Sequence, residues 1–118
     1  MKTSRSINLL SGFFRADMIR HIVLFKIKSG VTKAQRRKLE SELMGLKKKI
    51  RLVREIEVKN DIGGKPNSYD LALNTLFDSM ADVEKYAAHP EHVKVLDTIK
   101  ELCESTVKID YETRMVAM

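Results

Sequence analysis

Hydrophobic and polar positions along the chain change period several times, and each change predicts an element. Ile19-Arg20-His21-Ile22-Val23-Leu24-Phe25-Lys26-Ile27-Lys28, opened by Met18, is rich in β-branched residues and apolar on both alternating sets. That is the pattern of a central strand covered on both faces. Ser29-Gly30 ends it, and Thr32 with Gln35 has the spacing of a capping box. Leu39, Leu43, Leu46 and Ile50 then recur at intervals of four, three and four, the stripe of an amphipathic helix laid on a sheet. From Leu52 to Lys59, Ile56 and Val58 alternate with charges, which suits an edge strand with one wet face.

The run Asp61-Ile62-Gly63-Gly64-Lys65-Pro66-Asn67-Ser68 collects residues that tolerate tight or left-handed backbone, so the chain reverses there. Tyr69 to Phe77 is again apolar on both sets and predicts a second central strand. Ser79 caps a short helix with Met80, Val83, Tyr86 and Ala87 on one side. Pro90 opens another helix, where the missing proline N–H has no intrahelical partner to lose. Val93, Leu96, Ile99 and Cys103 mark its expected inner face, and Thr106 to Glu112 alternates Val107, Ile109 and Tyr111 with Lys108, Asp110 and Glu112 as a further edge strand.

The order β-α-β-β-α-β, with its second helical region broken at His89-Pro90, is the ferredoxin-like α+β arrangement with an antiparallel sheet. First and third strands are central in that topology, and the charged alternation falls on the second and fourth. Helices cover one sheet face only, while both sets of the central strands are apolar. A bare apolar face of that size predicts a two-fold homodimer, two sheets closing face to face as a dimeric α/β barrel.

Composition agrees with one globular domain: 118 residues, 43% of them hydrophobic, with five glycines and two prolines. Cys103 is the sole cysteine, which excludes an intramolecular disulfide and fits a reducing, cytoplasmic setting. Its apolar surroundings read as a buried, inert thiol. No apolar run approaches the roughly 20 residues that cross a bilayer, so a soluble protein with no membrane partner is expected. Residues Met1 to Asp17, with Lys2, Arg5 and Arg15, several serines and the Phe13-Phe14 pair, differ in character from the rest of the chain and read as an N-terminal extension. The domain is expected over 18–112, with an uninformative tail at 113–118.

The net charge of +6 is concentrated in one place. Between Lys33 and Arg51 stand eight basic residues and two acids, Glu40 and Glu42. A basic stripe can bind phosphates, but RNA-reading ferredoxin-like domains carry paired aromatics on their central strands, and Leu71-Ala72-Leu73-Asn74-Thr75-Leu76 has none. The stripe reads as a solvated helix face, with no nucleic-acid partner. Gly63-Gly64-Lys65-Pro66 lacks the spacing of a phosphate loop. His89 and His92 straddle a helix boundary and do not by themselves make a metal site, so neither metal nor cofactor is expected.

Candidate chemistry gathers in Tyr86-Ala87-Ala88-His89-Pro90-Glu91-His92-Val93, which holds two of the three histidines. A bend there brings a phenol and two imidazoles together, the groups that proton transfer uses when a cavity lies beside them. The ordinary reading of the same residues is structural: a histidine at a helix start caps it, and a tyrosine packs.

Taken together, Met18-Ile19-Arg20-His21-Ile22-Val23-Leu24-Phe25-Lys26, Asn60, Asp70-Leu71-Ala72-Leu73, Phe77-Asp78-Ser79, the Tyr86 to Val93 segment and Ile109-Asp110-Tyr111 resemble the stress-responsive dimeric α/β-barrel (Dabb) family. The resemblance spans 18–112. It implies a dimer of ferredoxin-like subunits, each with a pocket for a small hydrophobic or aromatic molecule, and for most members no assigned activity. A plant polyketide cyclase of this kind implies His92 as general base assisted by Tyr86, with His21 lining the same pocket. The alternative to a pure binding role is therefore a cofactor-free cyclase or lyase in which His92 and Tyr86 are catalytic, with His21 and His89 as ligand-binding residues. His89 is also the natural cap of the helix it precedes.

Overall fold

The computed structural model describes residues 14–117, and most of the N-terminal extension, including Phe13 of its Phe pair, lies outside them. In chain order the elements are β1 (Phe14–Ile27), α1 (Lys33–Lys49), β2 (Glu55–Asn60), β3 (Leu71–Phe77), α2 (Met80–Ala88), α3 (Pro90–Leu102) and β4 (Cys103–Ala117). The four strands form one antiparallel sheet in the order β2-β3-β1-β4, so β1 and β3 are central as the apolar alternation predicts. This is the ferredoxin-like α+β fold.

Local signals place the helix starts. Thr32 accepts from the Gln35 N–H at 3.1 Å while Gln35 Oε1 accepts from the Thr32 N–H at 2.9 Å, completing the capping box. Ser79 Oγ accepts from the Asp82 N–H at the start of α2. Gly30 takes φ +89 in the turn after β1, a conformation that costs a residue without Cβ little. The core lies between sheet and helices, with Leu39, Leu43 and Leu46 of α1 against Phe25, Leu71, Leu73 and Phe77.

Several boundaries and faces differ from the pattern-based expectation. β1 starts at Phe14, before Met18, because β4 runs on to Ala117 and the two ends pair from Phe14↔Ala117 onward. Arg114 Nε donates to Asp17 Oδ1 across that extension. β2 starts at Glu55, since the chain first turns at Ile50, where the Val53 N–H bonds the Ile50 carbonyl. The buried face of α3 is Val95, Thr98 and Leu102, whereas Val93 is exposed. Thr98 Oγ1 donates to Glu42 Oε1 of α1 at 2.7 Å, so a polar residue occupies a position that apolar periodicity passes over. Met80 of α2 is exposed, and Cys103 opens β4 as a buried residue.

Antiparallel partners share a sheet face. His21↔Asp110 and Val23↔Lys108 therefore lie toward the helices, and Ile22↔Ile109, Leu24↔Val107 and Arg20↔Tyr111 lie on the opposite face. No described helix covers that opposite face at β4: Val107, Ile109 and Tyr111 are 44%, 58% and 45% exposed.

Candidate active site

Between the helix side of the sheet and the helices is a cavity of about 340 Å³. Its walls are largely apolar, with Val23, Phe25, Leu43, Leu73, Leu96 and Ile99 facing in. Its polar side chains are His21 of β1, Tyr86 of α2, His92 of α3, and Thr106 and Lys108 of β4. The volume falls in the range of small-molecule sites.

His92 sits in the first turn of α3, and its position follows from the break at Pro90. The ring nitrogen Nδ1 lies 3.0 Å from the Ala87 carbonyl. A carbonyl only accepts, so Nδ1 carries the proton and Nε2 holds the free lone pair. Burial pushes the His92 pKa down, opposed by the Ala87 bond and reinforced by His21 and His89. The neutral imidazole is thus the form favoured near pH 7.

Tyr86 packs its ring against His92, with centroids 4.5 Å apart, and against Phe77 at 4.9 Å. It is 1% exposed, and among the described residues its hydroxyl has no hydrogen-bond partner. Burial drives the phenol pKa up, so it stays protonated and remains a donor. His21 stands edge-on to Tyr86 at 6.1 Å and is 7% exposed. Its Nδ1 is 2.5 Å from Asp110 Oδ1 on β4, where the carboxylate accepts, and Thr75 Oγ1 donates to its backbone carbonyl at 2.8 Å.

Thus His21, Tyr86 and His92 converge on one cavity. His89 does not line it: its Nδ1 accepts from the Glu91 N–H at 3.1 Å as the N-cap of α3. Asp110 and Lys108 are the residues that spacing alone passes over. They belong to the charged set of β4, and only the register with His21 and Val23 turns that set toward the cavity. Among the described residues no group of three or more His, Cys, Asp and Glu is arranged to hold a metal ion. No described helix is long and apolar enough to cross a membrane.

Known proteins share this architecture. A dimeric protein of unknown function with a ferredoxin-like fold from Bacteroides fragilis superposes with a TM-score of 0.68 at 35% identity, over 81% of this chain and 96% of that one. Hydroxynitrile lyase from Passiflora edulis gives a TM-score of 0.75 at 21% identity, over 81% of this chain and 93% of that one. Olivetolic acid cyclase of Cannabis sativa is 24% identical over 98 residues, which is 81% of this chain and 97% of that protein. Residues 19–113 match the Dabb family, the Stress responsive A/B Barrel Domain, and the chain belongs to that family.

Proposed function

We propose that this protein is a homodimer that binds a small hydrophobic or aromatic molecule in the cavity between sheet and helices. The observation that carries the reading is the cavity itself: apolar walls of about 340 Å³ into which His21, Tyr86 and His92 converge. Few polar groups in an apolar cleft is the usual make-up of a small-molecule site. The bare apolar set Val107, Ile109 and Tyr111 supports the dimer, as does the dimeric protein from Bacteroides fragilis. The basic face of α1 acts as a solvated surface, in line with the ion pairs Arg36–Glu40, Lys38–Glu42 and Lys49–Glu91 that already engage part of it.

A second reading, catalysis, is favoured by the tautomer of His92. With Nδ1–H committed to Ala87, Nε2 takes a proton from a carbon next to a carbonyl, and the electron pair moves onto the carbonyl oxygen as an enolate. The Tyr86 O–H donates to that oxygen, and the carbanion equivalent then either attacks a second carbonyl, whose π electrons move onto its oxygen to take back the proton from His92, or is itself reprotonated by His92. Cyclisation or lyase chemistry of this type needs only these two protein groups. The enzymatic name of the relative from Cannabis sativa, a cyclase, agrees with such chemistry.

Native mass spectrometry of gently purified protein tests the first reading. The expected result is a dimer that retains a small molecule, and a monomer would overturn the homodimer. Incubating the retained molecule with the protein and with His92→Ala then separates the readings. Turnover that disappears in the variant while the dimer persists supports catalysis, and an unchanged molecule in both supports binding alone.

A further inference from the structure

The charge at the rim of this cavity is not balanced. Lys108 lies on the helix side of β4, opposite Val23 in register, and lines the cavity beside Thr106. Among the described residues it makes no ion pair or hydrogen bond. Asp110, the carboxylate two positions along the same strand face, is engaged by His21. Exposed lysines on the helices differ in pairing: Lys38, Lys49 and Lys94 reach carboxylates, whereas Lys33 and Lys85 make no ion pair among the described residues and stand in open solvent. An unpaired ammonium at the mouth of an apolar pocket is a different arrangement, because the walls behind it exclude water and strengthen its attraction for a bound anion. Among the described residues no carboxylate lines the cavity to neutralise that charge, and the Tyr86 hydroxyl is a donor left without a partner.

We infer that the ligand is an anion, a molecule with an apolar body and a carboxylate or comparable acidic oxygen group, and that Lys108 is the residue that selects for that charge. The inference rests on the small-molecule reading of the cavity. The apolar body lies along Val23, Leu96 and Ile99, and the acidic group remains at the rim against the ammonium. Lys108 is then a specificity residue, distinct from the proton-transfer pair deeper in the pocket.

The test uses two probes of nearly equal shape, para-butylbenzoate and its neutral amide, para-butylbenzamide, titrated into the full-length protein at low salt and followed by NMR at the methyls of Val23, Leu96 and Ile99. The expected result is binding of the carboxylate about fivefold tighter than the amide, a preference that fades as salt rises. In Lys108→Met the two affinities should become nearly equal, and Lys108→Arg should keep the preference. Equal binding of both probes by the unaltered protein overturns the inference and leaves the cavity reading standing. A preference that survives in Lys108→Met also overturns it, since the anion is then held elsewhere. Failure of both probes to shift the cavity methyls overturns both the inference and the small-molecule reading beneath it.

Discussion

The Nδ1–H of His92 points at the carbonyl of Ala87, 3.0 Å away in the last turn of the preceding helix. That bond exists because Pro90 breaks the helical region and sets His92 in the first turn of α3, within reach of a carbonyl that α2 leaves open. It fixes the tautomer and leaves Nε2 as the basic atom.

Burial lowers the folded-state pKa of His92 below its unfolded value. Between those two values the unfolded chain binds more protons than the folded one, so stability rises with pH there. The contribution is present above about pH 6.5, the ordinary imidazole value, and is lost as pH falls through the lower folded value. Two measurements check this: the His92 ring resonances should titrate below the ordinary midpoint, and urea unfolding of His92→Gln at fixed protein concentration should weaken less steeply in acid. A midpoint at or above the ordinary value would show that burial does not dominate.

The pairing of His21 with Asp110 is structural as well as positional. Removing the carboxylate in Asp110→Ala leaves a ring N–H of a 7% exposed histidine without its acceptor. The expected cost is about 1–3 kcal/mol in chemical denaturation. Asp110→Asn keeps an acceptor oxygen but loses the charge, so its loss should be about half as large. Equal stability of all three proteins would show that the bond contributes nothing.

How much of this is legible in the sequence depends on how local each interaction is. The Thr32–Gln35 box, the Ser79 cap and the Pro90 start join residues at most three positions apart, and each is where its spacing puts it. The central placement of β1 and β3 follows from apolar residues on both alternating sets. By contrast, His21 and Asp110 stand 89 positions apart, and their contact depends on strand register, which no short spacing encodes. The inner face of α3 departs from its apolar stripe at one end: Val93 is exposed, while Ile99 packs against the core and Cys103 is buried, and Thr98, bonded to Glu42, is buried at a position that apolar periodicity passes over. Tyr86 and His92 are visible as a pair because a single helix break places them, but the cavity they face is assembled from all three helices and from β1, β3 and β4.

The uncovered sheet face gives a prediction about assembly. Ile109 is 58% exposed in the single chain and sits opposite Ile22 on the side away from the helices. A charge there is harmless on a free surface and costly within a desolvated interface, where it has no partner. Sedimentation velocity at micromolar concentration should show a dimer for the unaltered protein and predominantly monomer for Ile109→Glu. An Ile109→Glu protein that sediments as the same dimer would move the interface to another face.

Tyr86→Phe separates stability from function in one substitution. The Tyr86 hydroxyl is shut away from water with no partner among the described residues, so it carries a desolvation cost without a compensating bond. Deleting it while keeping the ring preserves the packing against His92 and Phe77. The ligand-free variant should therefore be more stable by about 1 kcal/mol, at the lower end of what an unsatisfied buried group costs. Function should move the opposite way, because the same hydroxyl is the donor proposed to meet the ligand's oxygen. Urea denaturation of the empty protein reads the first effect, and affinity for the molecule retained in native mass spectrometry reads the second. Higher stability with weaker binding is the signature of a group held unsatisfied for the ligand's sake. Lower stability of Tyr86→Phe would mean that the hydroxyl is already bonded in the free protein and serves the fold.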